Sequence, residues 1–460
     1  MAAANAVSGP KQRAQLASMG VLLMEQQIAE LTKSSGMLGT IDVEIFYWWC
    51  TAIMICIHAG FLAYEMGASR AKNVLASGVK NILAFAFIIP TFFFFGWWIY
   101  LAFPNGFIPV EGGNVGLPWA PEMGPNLQDN ATGVFWAAFV LFAATTASVF
   151  SGAVIERIRV SAFVILAIVL GSFAWILAAS WGWHPDGWLL KKFGYHDVGC
   201  AGLIHTVAGF FALGVLLNLG PRIGKYNADG TANDLLPHNI PMVLIGLMFI
   251  IVGFFGFLGG CAILNPGAQW TNIYGQPMTL SSYAFNTLMC FSGGIIGAWI
   301  TTRDPFWMMS GALAGIFVGA AGLDLWYPPL AFLLGVVGGV IIKPGNDFLV
   351  RMGIDDSVGA VSVHGFAGVL GVMAVGIFAA GFPGPGDAPA TSFVGQAVGA
   401  IVMILCGFIP GYLVSRLLKS IGILRVPDAV QEIGLDVAEI PAKAYPEAAG
   451  YKSGALAPAE

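Results

Sequence analysis

Eleven stretches of this chain are apolar for long enough to cross a lipid bilayer, and that narrows what it can fold into more than anything else in it. A helix needs roughly 17–25 apolar residues to span ~30 Å of hydrocarbon. Runs of this kind lie near residues 43–66, 79–103, 132–155, 160–183, 198–219, 239–263, 279–301, 305–323, 327–343, 358–382 and 392–418. The shortest, 327–343, opens on Pro328-Pro329. Every backbone N–H and C=O inside hydrocarbon must find an internal partner, so such runs become helices packed on one another. With 57% hydrophobic and only 10% charged residues, the chain belongs in a bilayer. The sequence therefore predicts an all-α membrane protein with an N-terminal extension over 1–40, a transmembrane domain over 41–420 and a C-terminal tail over 421–460. Within the extension, Gln12 to Leu31 reads as an amphipathic helix with Leu16, Met19, Leu23, Ile28 and Leu31 as its apolar members. A charged start, apolar centre and small-residue cleavage site are not found there, which speaks against a secretory signal.

Charge orients the helices. Arg70, Lys72, Lys80, Arg157, Arg159, Arg222, Lys225, Arg303, Lys343, Arg351, Arg416, Lys419 and Arg425 fall on alternate connections or after the last run. Beyond the N-terminal tail, the opposite connections carry only Lys191 and Lys192. The positive-inside rule then predicts a multi-pass plasma-membrane protein with its N-terminus outside and its C-terminus cytoplasmic, which requires an odd number of spans. A net charge of −5 with scattered Lys and Arg forms no basic stripe and excludes nucleic acid as a partner. The six cysteines form no C-x-x-C pair and mostly fall in apolar runs, so neither disulfides nor a metal site is expected, and no cofactor is expected either. Small-residue runs such as Gly311-Ala312-Leu313-Ala314-Gly315 and Gly335-Val336-Val337-Gly338-Gly339 predict helices in close contact.

Two stretches repeat one another. Asp197 precedes His205 and Ala208-Gly209 just as Asp356 precedes His364 and Ala367-Gly368, at a constant offset of 159 residues. The histidines fall in the fifth and tenth runs, so five spans separate them and the second unit is inverted relative to the first. Gly60-Phe61-Leu62 in the first run returns as Gly256-Phe257-Leu258 in the sixth. The expected architecture is two inverted five-helix repeats, spans 1–5 and 6–10, plus a long eleventh helix. Such repeats place a transport site at their interface near the bilayer midplane. A charge at a helix centre costs on the order of 2.5–3.5 kcal/mol, so a matched histidine pair in apolar runs marks a built site. His58, which has no such counterpart, reads as a core residue.

A string of motifs resembles the ammonium transporters of the Amt/Mep/Rh group from about Ile45 to Tyr445. It comprises Arg70-Ala-Lys-Asn-Val-Leu, Ile155-Glu-Arg-Ile-Arg, Asp197 with His205, His238-Asn-Ile-Pro-Met, Phe254-Phe-Gly-Phe257, Asp355-Asp356 with His364-Gly, and Leu424-Arg-Val-Pro with Gly434-Leu-Asp436. The resemblance implies a homotrimer whose subunits each hold a pore. An outer vestibule recruits ammonium, two stacked phenylalanines follow, and a narrow apolar lumen is lined by twin histidines. On matching positions the twin histidines are His205 and His364, and the phenylalanines are Phe142 and Phe257. The vestibule tryptophan matches Trp183, with Trp181 and Trp188 as alternatives because the connection to Asp197 is longer than in bacterial members.

Aromatic faces attract a cation by about 0.5–2 kcal/mol, yet an isolated charge in a dry lumen faces Born costs of tens of kcal/mol. Shedding a proton resolves the conflict, and paired imidazoles are suited to relay it. Potassium has no proton to lose. Asp197 and Asp356 read as helix caps or as sources of negative potential at the pore mouth, and Glu65 as a polar inter-helix contact. Departures from the family pattern are Cys261 at a recruitment position that is often Ser, Leu258 where Asn is common, and Gly359 in place of an acid. The tail, by analogy, meets a PII-type regulator. The expected function is ammonium/ammonia transport and not enzymatic catalysis. An ammonium sensor on the same fold and a Rh-like channel for neutral gas are the alternatives.

Overall fold

The computed structural model describes residues 9–110, 130–262, 271–440 and 442–446, and these fold as helices and connections without a β-strand. In chain order the apolar helices are α1 (Pro10–Ala68), α2 (Ala71–Ala102), α3 (Asn130–Ala153), α4 (Val160–Gly182), α5 (Ala201–Leu219), α6 (Ile240–Cys261), α7 (Leu280–Thr302), α8 (Pro305–Ala320), α9 (Pro328–Arg351), α10 (Val361–Phe378) and α11 (Phe393–Ser420). Among the described residues, ten are long and apolar enough to cross a membrane, while α8 has 16 residues and falls short. At 1.5 Å per residue α8 covers about 24 Å. The expected eleven full spans are thus ten and a shorter helix. Its start is fixed by Asp304, whose carboxylate accepts from Phe306 N at 2.7 Å, and turns follow its end at Ala321.

α9 runs to 24 residues although it opens on Pro328-Pro329, because Pro at the first helical positions removes only an N–H that would have had no partner; Pro344 lies in its interior. α1 is longer than expected, at 59 residues or about 90 Å. No proline interrupts the sequence between Pro10 and Pro90, and the helix passes residue 40 without a break. Its buried positions begin only at Tyr47, whereas Leu22, Ile28, Leu31 and Leu38 are exposed. In α2, Pro90 is followed by a π-helical stretch at Phe92–Gly96, where the loss of an i−4 hydrogen bond is absorbed by one wider turn.

Lipid offers no hydrophobic drive between helices, so their association rests on close backbone packing. α1 lies along α6: a Cβ at Gly246 would fall 2.4 Å from Tyr64 N, and one at Gly60 2.6 Å from Gly246 O. These are the first helices of the two units, and they carry the Gly-Phe-Leu echo. α5 crosses α10 more tightly still. A Cβ at Gly209 would sit 2.3 Å from Gly365 N, and one at Gly368 2.3 Å from Ala201 O. The Ala-Gly that follows each repeated histidine is therefore a second point where the two units touch. α11 lies across α5 through Gly407 and Gly411, whose faces meet the Val207 and Phe211 carbonyls.

At one end of the bundle the charged motifs form a single knot. Arg222 holds Asp355 through Nε and Nη2, both at 2.9 Å, and Glu156 accepts from Arg70 N at 2.6 Å and Arg70 Nε at 2.7 Å. Arg157, fully buried, donates to the Gly220 and Asp355 carbonyls and to Ser357 Oγ. Burial would raise the Asp355 carboxyl, but Arg157 and Arg222 hold it well below the usual carboxylate range. The tail closes over this end. Asp436 accepts from Leu75 N and Ala76 N, Lys72 donates to the Gln431 and Glu432 carbonyls, and Arg425 donates to those of Leu219 and Pro221.

Replacing Gly209 by Val should force α5 and α10 apart, lowering stability by about 1–3 kcal/mol. Thermal unfolding of the detergent-solubilised protein reads this. An unchanged melting temperature would mean that the crossing is not tight.

Candidate functional site

Both repeated histidines ride in π-helical turns, Ala201–Thr206 and Val361–Phe366. Each turn follows a residue in the left-handed region, Cys200 at φ 65° and Gly359 at φ 75°, again 159 positions apart (359 − 200). The Asp197 carboxylate caps the first turn, accepting from Ala201 N at 2.7 Å, from Gly202 N and Leu203 N at 2.8 Å, and from Tyr195 Oη at 3.1 Å. Asp356 caps the second through Val361 N at 2.6 Å. Of the two readings open for these carboxylates, the capping geometry is realised in both. Gly359 suits its backbone, and a Cβ there would also press on Trp307 at 2.9 Å.

This framing brings His205 Nδ1 to 3.1 Å from His364 Nδ1. Two donors cannot face each other at that distance, so one ring contributes N–H and the other a lone pair. Both residues are buried, at 0% and 4% exposure. Phe317 of α8 lies flat against the His205 ring at 3.6 Å between centroids and reaches His364 at 4.6 Å.

Towards the far end from the charged knot, a cavity of about 770 Å³ opens, lined by Trp183, Phe139, Tyr100, Tyr283, Asp197, Cys261, His196 and Asp324, among others. Of the three tryptophans left open by sequence, Trp183 lines it, with its indole N–H donated to Asp197 O at 2.8 Å. Trp181 lies beneath, donating to Phe103 O, and Trp188 packs on its edge. From Trp183 a file of rings leads inward. Phe142 is 5.7 Å away, Phe257 is 4.7 Å from Phe142, and His205 is 6.1 Å from Phe257. Phe142 and Phe257 meet edge to face at 77° rather than stacked, the arrangement that ring quadrupoles favour.

Cys261 Sγ is 3.9 Å from Cys200 Sγ at the cavity's edge, and Leu258 is buried. Glu65 lies apart from the cavity, tied to Lys80, Asn81 and Ser151. Sequence reasoning missed Phe317, a ring set among the small residues of α8, and Asp324, which has no counterpart in the repeat.

Residues 45–445 match the profile of the Ammonium Transporter Family. The chain belongs to this family. It is 30% identical over 411 residues to Ammonium transporter Amt1 of Methanocaldococcus jannaschii, covering 88% of this chain and 97% of that one. Ammonium transporter Amt2 of Archaeoglobus fulgidus is also 30% identical, over 88% of this chain and 89% of its own length. Among solved structures, a protein described as Sensor Amt Protein superposes with a TM-score of 0.75 at 26% identity, over 86% of this chain and 98% of that one. Family members of this kind are transporters, and the chain is not an enzyme.

Two predictions follow from the site's framing. A non-glycine residue in the left-handed region costs roughly 1–2 kcal/mol, so Cys200→Gly should stabilise the protein by about 1 kcal/mol in thermal unfolding. A lower melting temperature would show that the thiol's packing outweighs its backbone strain. The second concerns His196, whose Nε2 is 3.0 Å from Asp324 Oδ1. Burial would lower its affinity for a proton, but Asp324 and then Asp197 raise it above the ordinary value of 6.5. Stability from a raised histidine is complete below about pH 6.5 and is lost as pH climbs through the folded-state value. Melting temperature should therefore fall more steeply between about pH 6 and pH 8 in the parent than in Asp324→Asn. Parallel curves would remove the pair from the account.

Proposed function

We propose that this family member carries ammonium across the plasma membrane by recruiting the cation in the aromatic cavity, removing its proton and conducting ammonia past His205 and His364. The observation that carries this reading is the unbroken file from Trp183 through Phe142 and Phe257 to two buried imidazoles 3.1 Å apart. The Trp183, Phe139 and Tyr100 rings and the Asp324 carboxylate offer a cation what it loses on leaving water. Between Phe142 and His205 the rings of Phe142, Phe257 and His205 follow one another, and against such apolar faces a bare charge is too costly. Ammonia is small and neutral, and the shared N–H of the histidine pair provides a place to take up and pass on the proton. Cys261 makes the mouth less polar than Ser would, since a thiol accepts hydrogen bonds weakly; recruitment is correspondingly weaker.

The cavity faces outward and the charged knot with the tail faces the cytoplasm, as the distribution of Lys and Arg requires. Each protomer of a homotrimer holds its own path, and the tail, seated on the connections near Lys72, Arg157 and Pro221, is where a PII-type regulator acts. Ammonium sensing on the same fold is the second reading, and the likeness to Sensor Amt Protein favours it.

Proteoliposomes should take up labelled methylammonium well above empty vesicles. His205→Ala and His364→Ala should each change uptake or admit potassium, and parent-like behaviour in both would remove the relay role. Absence of uptake together with ammonium-dependent binding of a partner to the tail would favour sensing. Stopped-flow passage of neutral gas without current would favour a Rh-like channel.

A further inference from the structure

On the side of the histidine pair away from the large cavity there is a second, much smaller one, of about 10 Å³, the room one water molecule takes. His364 lines it, and so does Glu65. The rest of its wall is mainly apolar, with Phe61, Val149, Leu313 and Val363 among it, and Tyr64, which also lines it, has its hydroxyl engaged with Ser310 Oγ at 3.2 Å. Glu65 is fully buried, and its bonds are one-sided. Ser151 Oγ at 2.7 Å, Asn81 Nδ2 at 2.9 Å and Lys80 Nζ at 3.3 Å all reach the same oxygen, Oε2. Oε1 has no hydrogen-bond partner among the described residues. A carboxylate needed only to tie α1 to α2 and α3 would gain by sharing those donors between both oxygens, since an unsatisfied buried acceptor costs about 1–3 kcal/mol.

We propose that Glu65 accepts the proton that the histidine pair removes from ammonium, through a single water held between His364 and Glu65 Oε1. This rests on the transport reading above. Ammonium gives one proton to the pair and continues as ammonia. His364, with Nδ1 turned to His205, passes a proton to the water from its other side. The water in turn gives one to Glu65, so that the imidazole returns to neutral and the carboxylate becomes a carboxylic acid. No electron moves, and the water is regenerated.

Lys80 makes the acceptor workable. Its ammonium is held by the Ser151 carbonyl at 2.6 Å and lies 5.1 Å over the Phe163 ring, so it keeps partners while Glu65 is neutral. Glu65 lies three residues before the end of α1 at Ala68, next to the charged end of the bundle; there the acid gives its proton to water on that side and returns to the carboxylate, which closes the cycle.

The test measures labelled methylammonium uptake and current in the same proteoliposomes and compares the charge moved per methylammonium. Glu65→Gln should lower the proton-coupled current on the order of 100-fold, the loss of rate that removing a positioned proton acceptor brings, with the uptake that remains carrying little charge, and Glu65→Asp should recover most of the current. Glu65→Gln with Lys80→Met removes both charges together and should show the same low ratio, which covers the case in which the single variant does not fold. A parent-like ratio in Glu65→Gln or in the double variant would overturn the proposal and leave Glu65 as an inter-helix tie. Parent uptake that carries no charge would overturn it as well. Parent vesicles without uptake would instead overturn the transport reading, and this proposal with it.

Discussion

Close approach of two backbones, α5 against α10 at Gly209, Gly365 and Gly368, is the contact on which the rest of this molecule depends. A single methyl group at Gly209 would lie 2.3 Å from Gly365 N, well inside van der Waals contact, so larger residues would hold the helices apart. With the helices apart, two imidazoles one helical turn away could not meet at 3.1 Å. The glycines set the distance at which the histidines meet. The same device recurs where α1 meets α6, so the two units are joined twice through faces that lack side chains. In a solvent as apolar as the helices themselves, such faces give the dispersion contact that burial from water gives elsewhere.

The charged end works by the opposite means. Arg70, Glu156, Arg157, Arg222 and Asp355 lie on four different connections, and removing Asp355 would leave the buried Arg157 without a carboxylate partner. Glu156 accepts its place at φ 71°, a conformation that its two arginines compensate. Because the tail bonds to these same connections, through Arg425, Asp436 and Lys72, its position is coupled to the ends of α2, α4 and α5.

Much of this was legible in the sequence, and for identifiable reasons. Helix positions followed from apolar run length, and the histidine meeting followed from an offset of 159 residues that only a duplicated unit would preserve. The motif string marked the family because each of its polar groups has a fixed partner in the knot, which ties residue type to position. What stayed hidden has no local pattern. Phe317 is one ring in a small-residue helix, and its place against His205 depends on how α8 is set by its neighbours. Asp324 acquires meaning only from the cavity it borders. The reach of α1 was underestimated because polar residues between Gln12 and Thr40 suggested a separate element, whereas helix continuity needs only the absence of a stop. Cys200 and Gly359 look unrelated as letters, and only backbone angles reveal them as equivalent hinges.

The bond between the histidines has one further consequence. The two units are near-images of each other, related by inversion, and a perfect image would give neither ring priority. A single hydrogen atom between Nδ1 and Nδ1 belongs to one imidazole at a time, so the symmetry of the fold is broken at its centre by the smallest possible object. The histidine pair therefore carries a polarity, like an arrow that points either up or down. Reversing it demands that protons be exchanged at the outer nitrogens of both rings. A centre assembled from two matching units thus holds one bit of information, written in the position of a single hydrogen.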